Sequence, residues 1–306
     1  MLREMFIGLS ENRSLRNFAE NSPMGLRMSR RFVAGTTIEE LIQASEAVNR
    51  FGIHVSVDNL GENVTRREEA LASAQLYHRL LDEIERRRLD VNVSVKLTHM
   101  GLDVDETLAH EIVAELVAHA ARIDNFIRVD MEGSAYTQRT IDLVRELHCR
   151  PGYAGRVGTV LQAYMRRTDD DARTLVSEGI RIRLCKGAYK EPPEIAFQAK
   201  SEVNANYLRT AKYLLKSGGF HGLATHDQTI IAELKNWARA EGIPPSAFEF
   251  QMLYGIRRDL QEQLAREGWG VRVYIPFGTE WYPYFMRRLA ERPANVWFIT
   301  KNLLRR

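Results

Sequence analysis

The chain has 306 residues, 44% of them hydrophobic and 27% charged, with a net charge of +3, which is enough to bury one large core and ordinary for a globular protein. Its charges are interspersed, as in RREEA and DEIERRR, so nothing points to nucleic acid as a partner. Two cysteines without close spacing, Cys149 and Cys185, argue against a disulfide scaffold. No apolar run approaches the roughly 18 residues of a membrane span, and no signal-peptide pattern opens the chain, so a cytoplasmic, enzyme-sized domain is expected.

In chain order, residues 1–35 read as a helical extension ahead of the first strand, and residues 36–306 as one βα domain. Eight β-like runs follow at 54–61, 92–99, 126–133, 156–164, 181–189, 221–227, 248–255 and 270–278. Between them lie segments such as EEALASAQLYHRLLDEIERRR and LAHEIVAELVAHAARI, with apolar residues at helical spacing. Eight strands alternating with helices in this length predict a (βα)₈ barrel, an α/β fold, rather than an open doubly wound sheet.

Barrel enzymes gather their chemistry where the strands end. Read at those ends, the runs supply Asp58, Lys96, Asp130, Gln162, Arg183 with Lys186, His226 with Asp227, Gln251 and Tyr274. Any one of these could be a helix cap or a solvated loop residue, but polar groups at eight successive strand ends would be costly if buried without a purpose. No Walker loop, no G-x-G-x-x-G, no G-x-S-x-G elbow and no metal-ligand cluster is present, so neither a Rossmann-bound dinucleotide nor a resident metal is expected. In RLCKGAY, two cations and Gly187 at a strand-to-helix turn suit a phosphate or an electron-rich ring. In YFMRRLAE, Arg287 and Arg288 follow the eighth strand, and with Lys96 they predict a clamp on a small carboxylic acid. Glu291 stands at helical spacing from both arginines and is expected to orient one of them. A plain surface pair neutralised by Glu291 is the competing reading.

RLCKGAY and YIPFGTEWYPYFMRRLAERPAN, supported by VSVKLTHMGLD, IRVDMEGS, LQAYMRRT and GLATHD, resemble the proline dehydrogenase family of flavoenzymes, in order and spacing from about residue 30 onward. Cys185 stands where the family more often has an aliphatic residue. The resemblance implies a distorted TIM barrel whose last helix swings over the mouth, and non-covalent FAD at the strand ends. It implies cofactor contacts from Met131, Gln162, Arg183, Cys185, Lys186, Gly187, Ala188, Ala224, Thr225 and His226. Asp130, Arg183 and Tyr274 are implied as catalytic. Lys96, Tyr284, Arg287, Arg288 and Glu291 are implied as binding L-proline. The implied reaction is hydride transfer from proline to flavin N5, giving Δ1-pyrroline-5-carboxylate. Its electrons would pass to a membrane quinone through peripheral membrane contact, for which the basic FITKNLLRR end is a candidate, with a plain helix end the preferred reading of that segment. Two other readings stay open at this point: a barrel lyase or aldolase with Lys96 or Lys186 as Schiff base, and a non-catalytic barrel that binds small acids.

Overall fold

Each of the eight β-like runs forms a strand in the computed structural model, which describes residues 16, 19–20 and 22–291. Much of the expected N-terminal extension and the FITKNLLRR end lie outside the described residues. Helices α1 (Pro23–Ser29) and α2 (Ile38–Asn49) precede the first strand. The barrel then runs β1 (His54–Asn59), α3 (Arg67–Arg87), β2 (Val91–Val95), α4 (Glu106–Arg122), β3 (Ile127–Val129), α5 (Ser134–His148), β4 (Val157–Gln162) and α6 (Thr168–Ser177). It continues with β5 (Arg181–Cys185), α7 (Lys200–Lys216), β6 (His221–Ala224), α8 (Gln228–Ala240), β7 (Phe248–Leu253), α9 (Arg258–Arg266), β8 (Gly270–Phe277) and α10 (Trp281–Glu291). All strand pairs are parallel, each to its sequence neighbour, and β8 closes on β1 with His54 opposite Arg272 and Ser56 opposite Tyr274.

The strands are built from two alternating sets of residues. The outward set is apolar: Val55, Val57, Val93, Val95, Ile182 and Val273 are all fully buried beneath the helices. Leu80, Leu81, Leu116 and Val117 cover them from α3 and α4, whose charged residues face solvent. Asp105 caps α4 by accepting from Leu108 N at 3.1 Å, and Asp227 caps α8 by accepting from Thr229 N at 3.2 Å.

The inward set is polar, which is unusual for a barrel interior otherwise filled by branched apolar chains. Its lower layer joins Arg272 Nε to Glu249 Oε1 at 2.6 Å, and Gln251 Nε2 donates to the same oxygen at 2.6 Å. Above it, Arg183 donates from Nε to Gln251 and from Nη2 to Ser56 and Ser94, both at 3.2 Å. The sequence reading set Arg183, Gln251 and Tyr274 at strand ends. All three instead stand within their strands, with Arg183 and Gln251 deep in the barrel, because tilted, staggered strands bring the middles of β5, β7 and β8 level with the ends of β1, β2 and β3.

Such long side chains need space, and Gly158 on β4 supplies some of it. A Cβ there would lie 2.2 Å from Arg181 O and 3.0 Å from Arg128 Nη1, which itself donates to Arg181 O at 2.7 Å. Gly158→Ala is therefore expected to destabilise the fold by about 1–3 kcal/mol through overpacking. A urea midpoint equal to that of the parent chain would show that β4 and β5 can part there freely.

Candidate active site

Where the inner faces of β1, β2, β3 and β8 reach the C-terminal end of the barrel, four side chains meet. Lys96 Nζ lies 2.7 Å from Asp58 Oδ2, 3.4 Å from Tyr274 Oη and 3.9 Å from Asp130 Oδ2. Asp130 accepts from Tyr274 Oη at 2.8 Å on one oxygen and from Arg183 Nη1 at 2.7 Å on the other. The Arg183 guanidinium also lies over the Tyr274 ring, 5.2 Å from its centre.

Burial by itself lowers the Lys96 ammonium, but Asp58 and Asp130 outweigh it and hold Lys96 well above the ordinary lysine range. Burial raises the Asp58 carboxyl while Lys96 pulls it the other way. Tyr274 is pushed well above an ordinary phenol by burial and then by Asp130 and Asp58, so it stays a neutral hydrogen-bond donor.

Helix α10 lies against this mouth. Trp281, Tyr282 and Phe285 bury against Phe32, Leu60 and Ile256, and the helix packs on α1. That packing fixes its other face, where Arg287, 41% exposed in its side chain, donates from Nη2 to Glu62 Oε1 at 3.1 Å. The Arg288 guanidinium lies 5.1 Å from the centre of the Tyr284 ring. Glu62 is in the segment between β1 and α3, so the contact ties the last helix to the first turn of the barrel. The Glu291 side chain lies outside the described residues, and Glu62 is the acid seen on Arg287. Tyr189, after β5, keeps 40% of its surface exposed, and its phenol is raised by partial burial and then by Glu62 and Glu132.

A second wall comes from β4, β5 and β6. Gln162, buried at the end of β4, donates from Nε2 to Glu132 O at 2.9 Å. Cys185 closes β5, its thiol pushed up to about 11 by burial. Lys186 Nζ reaches Asp227 Oδ2 at 2.9 Å and holds that carboxyl below its usual range. Gly187 has φ +102°, and a Cβ there would come within 2.2 Å of the Tyr164 ring, so the turn carrying Ala188 requires glycine. Across from it, Ala224 ends β6, Thr225 N donates to Gln251 O at 3.1 Å, and His226 Nε2 accepts from Leu253 N at 2.9 Å. Met131, just past β3, is buried in the main apolar core.

Residues 41–301 match the sequence profile of the proline dehydrogenase family. The chain belongs to the proline dehydrogenase family. It is 40% identical over 307 residues to Proline dehydrogenase 1 of Bacillus subtilis (strain 168), covering 100% of both chains. It is 41% identical over 281 residues to Proline dehydrogenase of Deinococcus radiodurans, covering 91% of this chain and 90% of that one. Among solved structures, proline utilization A (PutA) from Bdellovibrio bacteriovorus inactivated by N-propargylglycine superposes with a TM-score of 0.82 at 25% identity. That match takes in 87% of this chain and 33% of the longer PutA chain.

This proline dehydrogenase fold brings Lys96, Asp130, Arg183 and Tyr274 into one hydrogen-bonded group. It sets Arg287, Arg288 and Tyr284 on the helix beside it, and lines Gln162, Lys186, Gly187 and Thr225 along the adjoining wall. Sequence reasoning passed over Glu62 and Tyr189. Glu62 sits in a run, LGENVTRREE, that reads as an ordinary polar loop, and only its reach to a residue 225 positions away gives it meaning.

Two buried histidines also shape how the chain responds to acid. His99, near Lys96, is held to about 4 by burial and then by the lysine, and its Nε2 meets Ser73 Oγ at 2.8 Å. His221 is lowered to about 4 by burial and then by Arg128 and Arg181, and its Nδ1 accepts from Ile182 N at 3.1 Å. Both are neutral when folded, whereas in the unfolded chain each takes a proton near pH 6.5. Above that pH they contribute no pH dependence. As pH falls from about 6.5 towards 4 the unfolded state gains protons first, so stability drops, by up to about 3 kcal/mol for each histidine. Their Cε1 proton shifts should keep neutral values down to pH 5, and the urea midpoint should begin to fall below pH 6.5. A midpoint that is flat between pH 7 and 5, or shifts that titrate near 6.5, would refute neutral burial.

Proposed function

We propose that this chain oxidises L-proline to Δ1-pyrroline-5-carboxylate with bound FAD, and that the electrons leave to a quinone. The observation that carries the reading is the position of Arg287 and Arg288 on α10, beside the Lys96, Asp130 and Tyr274 group, in a chain of this family.

In this reading Arg287 exchanges the Glu62 carboxylate for that of proline, which its guanidinium can grip with two parallel hydrogen bonds. Arg288, stacked on Tyr284, meets the same carboxylate, while the Tyr284 ring packs on the proline carbons. Lys96, kept charged by Asp58, completes the clamp. Glu291 serves as a further acidic neighbour to the arginines. Asp130 and Tyr274 line the pocket and hold Arg183 in place. Fixing the substrate from several sides supplies orientation, which is where much of the rate can arise.

The wall of β4–β6 suits a flavin dinucleotide. Lys186 provides a cation for the pyrophosphate, Gln162 an amide for the pyrimidine edge, and Gly187, Ala188 and Ala224 leave room for a ligand to approach closely. Thr225 and His226 offer further contacts, and Met131 and Cys185 apolar ones. When bound, FAD would supply the two-electron acceptor for the hydride leaving proline C5. Arg183 would stand by with a cation where negative charge develops. A Schiff-base lyase is the weaker reading, because an amine nucleophile requires a lowered pKa, whereas Lys96 is raised and Lys186 is paired with Asp227.

The direct test is a visible spectrum. Purified or FAD-reconstituted protein should be yellow, and anaerobic L-proline should bleach the oxidised band. A colourless protein after reconstitution, or a band that proline leaves unchanged, would overturn the assignment; the latter would favour a non-catalytic acid-binding barrel.

Replacing Arg287 or Arg288 by Met should leave FAD bound and lower kcat/KM for proline by about ten- to hundredfold each, the worth of one charge-assisted hydrogen bond. Lys at either position should not restore it, since one ammonium cannot reproduce a bidentate fork. Tetrahydrofuran-2-carboxylate, which keeps the carboxylate but lacks the amine, checks binding without turnover. Equal affinity in parent and Met variants would remove the arginines from the carboxylate site.

A further inference from the structure

The opposite end of the barrel gathers several cationic side chains. In the lower layer Arg128, Arg181 and Arg272 surround a single buried acid among the described residues, Glu249. Arg272 spends Nε on Glu249 and Nη1 on Val55 O at 2.7 Å. Arg128 gives Nη1 to Thr159 O and Arg181 O. Arg181 has neither a carboxylate partner nor a hydrogen-bond acceptor among the described residues, and its Nε is buried. What holds it is aromatic: the guanidinium lies 4.5 Å from the centre of the Phe126 ring and 4.9 Å from that of Phe220.

Beside it a cavity of about 460 Å³ opens at the N-terminal ends of the strands, lined by Asn92, Arg181 and Arg272. Asn92 is 8% exposed, and its side-chain oxygen is buried without a hydrogen-bond partner. A guanidinium Nε and an amide oxygen that are buried without partners each carry a desolvation penalty, so their joint presence at one cavity calls for a ligand. Of the acids lining the same opening, Asp90 meets His54 and Asp124 meets Arg156, while Glu85 has no ion pair among the described residues. Those acids disfavour an extended polyanion and leave the deeper cationic part to something small.

We propose that this end of the barrel binds a small anion through carboxylate or phosphate oxygens, with Arg181 as its fork and Asn92 as its second contact. Arg272 adds charge, and Phe126 with Phe220 fixes the plane of the Arg181 guanidinium so that its N–H groups are presented for bidentate binding. The site lies across the barrel from the proline-binding residues and does not depend on them.

Inorganic phosphate and citrate are suitable probes, titrated into the full-length protein by calorimetry and followed by thermal melts, each against sodium chloride of equal ionic strength. At least one should bind saturably and raise Tm beyond the chloride control. Arg181→Met should weaken that binding by about tenfold or more, the loss of a charge-assisted contact. Asn92→Leu, which changes no charge, should weaken it about threefold or more, and decides the matter if the arginine variant fails to fold. Binding of phosphate alone identifies a phosphate site, citrate alone a carboxylate site, and both a site for the shared oxyanion geometry. If neither exceeds chloride, or if binding survives both substitutions unchanged because the anion sits at the other mouth, the proposal fails.

Discussion

The buried pair between Arg183 and Asp130 is the contact on which the interior depends. A buried ion pair stabilises a fold only when its remaining donors and acceptors are also satisfied. Here Arg183 bonds to Asp130, Ser56, Ser94 and Gln251 at once, and Asp130 takes Tyr274 on its other oxygen. One guanidinium on β5 thereby ties together β1, β2, β7 and the end of β3, and β8 joins through the tyrosine. In most barrels apolar layers do this work without direction. A hydrogen-bonded interior has direction, so it fixes strand register as well as closure.

That arrangement also explains how a cation can stand at the floor of the mouth without drifting. Lys96 is held by Asp58, Asp58 approaches Tyr77 Oη at 3.4 Å, and Tyr77 in turn accepts from Asn59 N at 3.0 Å. Each charged group near the mouth is backed by another from a different element. Geometry at the site is thus inherited from the barrel.

Much of this was legible in the sequence, for a physical reason. The outward faces of the strands must be Val, Ile and Leu to lie under helices, so the β-like runs and the helical spacing between them stood out, and all eight strands formed where they were read. The polar residues between those apolar ones marked the interior correctly, but their depth was not legible. Stagger is a property of the closed barrel, and Arg183 read as a residue of the rim. Contacts across the chain were hidden as well: nothing near Glu62 signals Arg287, and the hydroxyl network of Ser56 and Ser94 is invisible until β1 and β2 pair. The acid expected beside the arginines was Glu291, chosen because helical spacing is the only proximity a sequence reveals.

The contact between Arg287 and Glu62 has a bearing on substrate affinity. It is a single, half-exposed ion pair, worth at most about 1 kcal/mol, so it is a weak tether. Yet it keeps a carboxylate permanently next to the guanidinium, and a group attached to the same chain competes at an effective concentration in the millimolar range. In the proposed reading, an incoming amino acid displaces this built-in rival from Arg287. This raises the apparent KM by a factor of at most about five, widening the range over which the rate stays proportional to substrate, and Glu62, which touches no reacting atom, would help set that range.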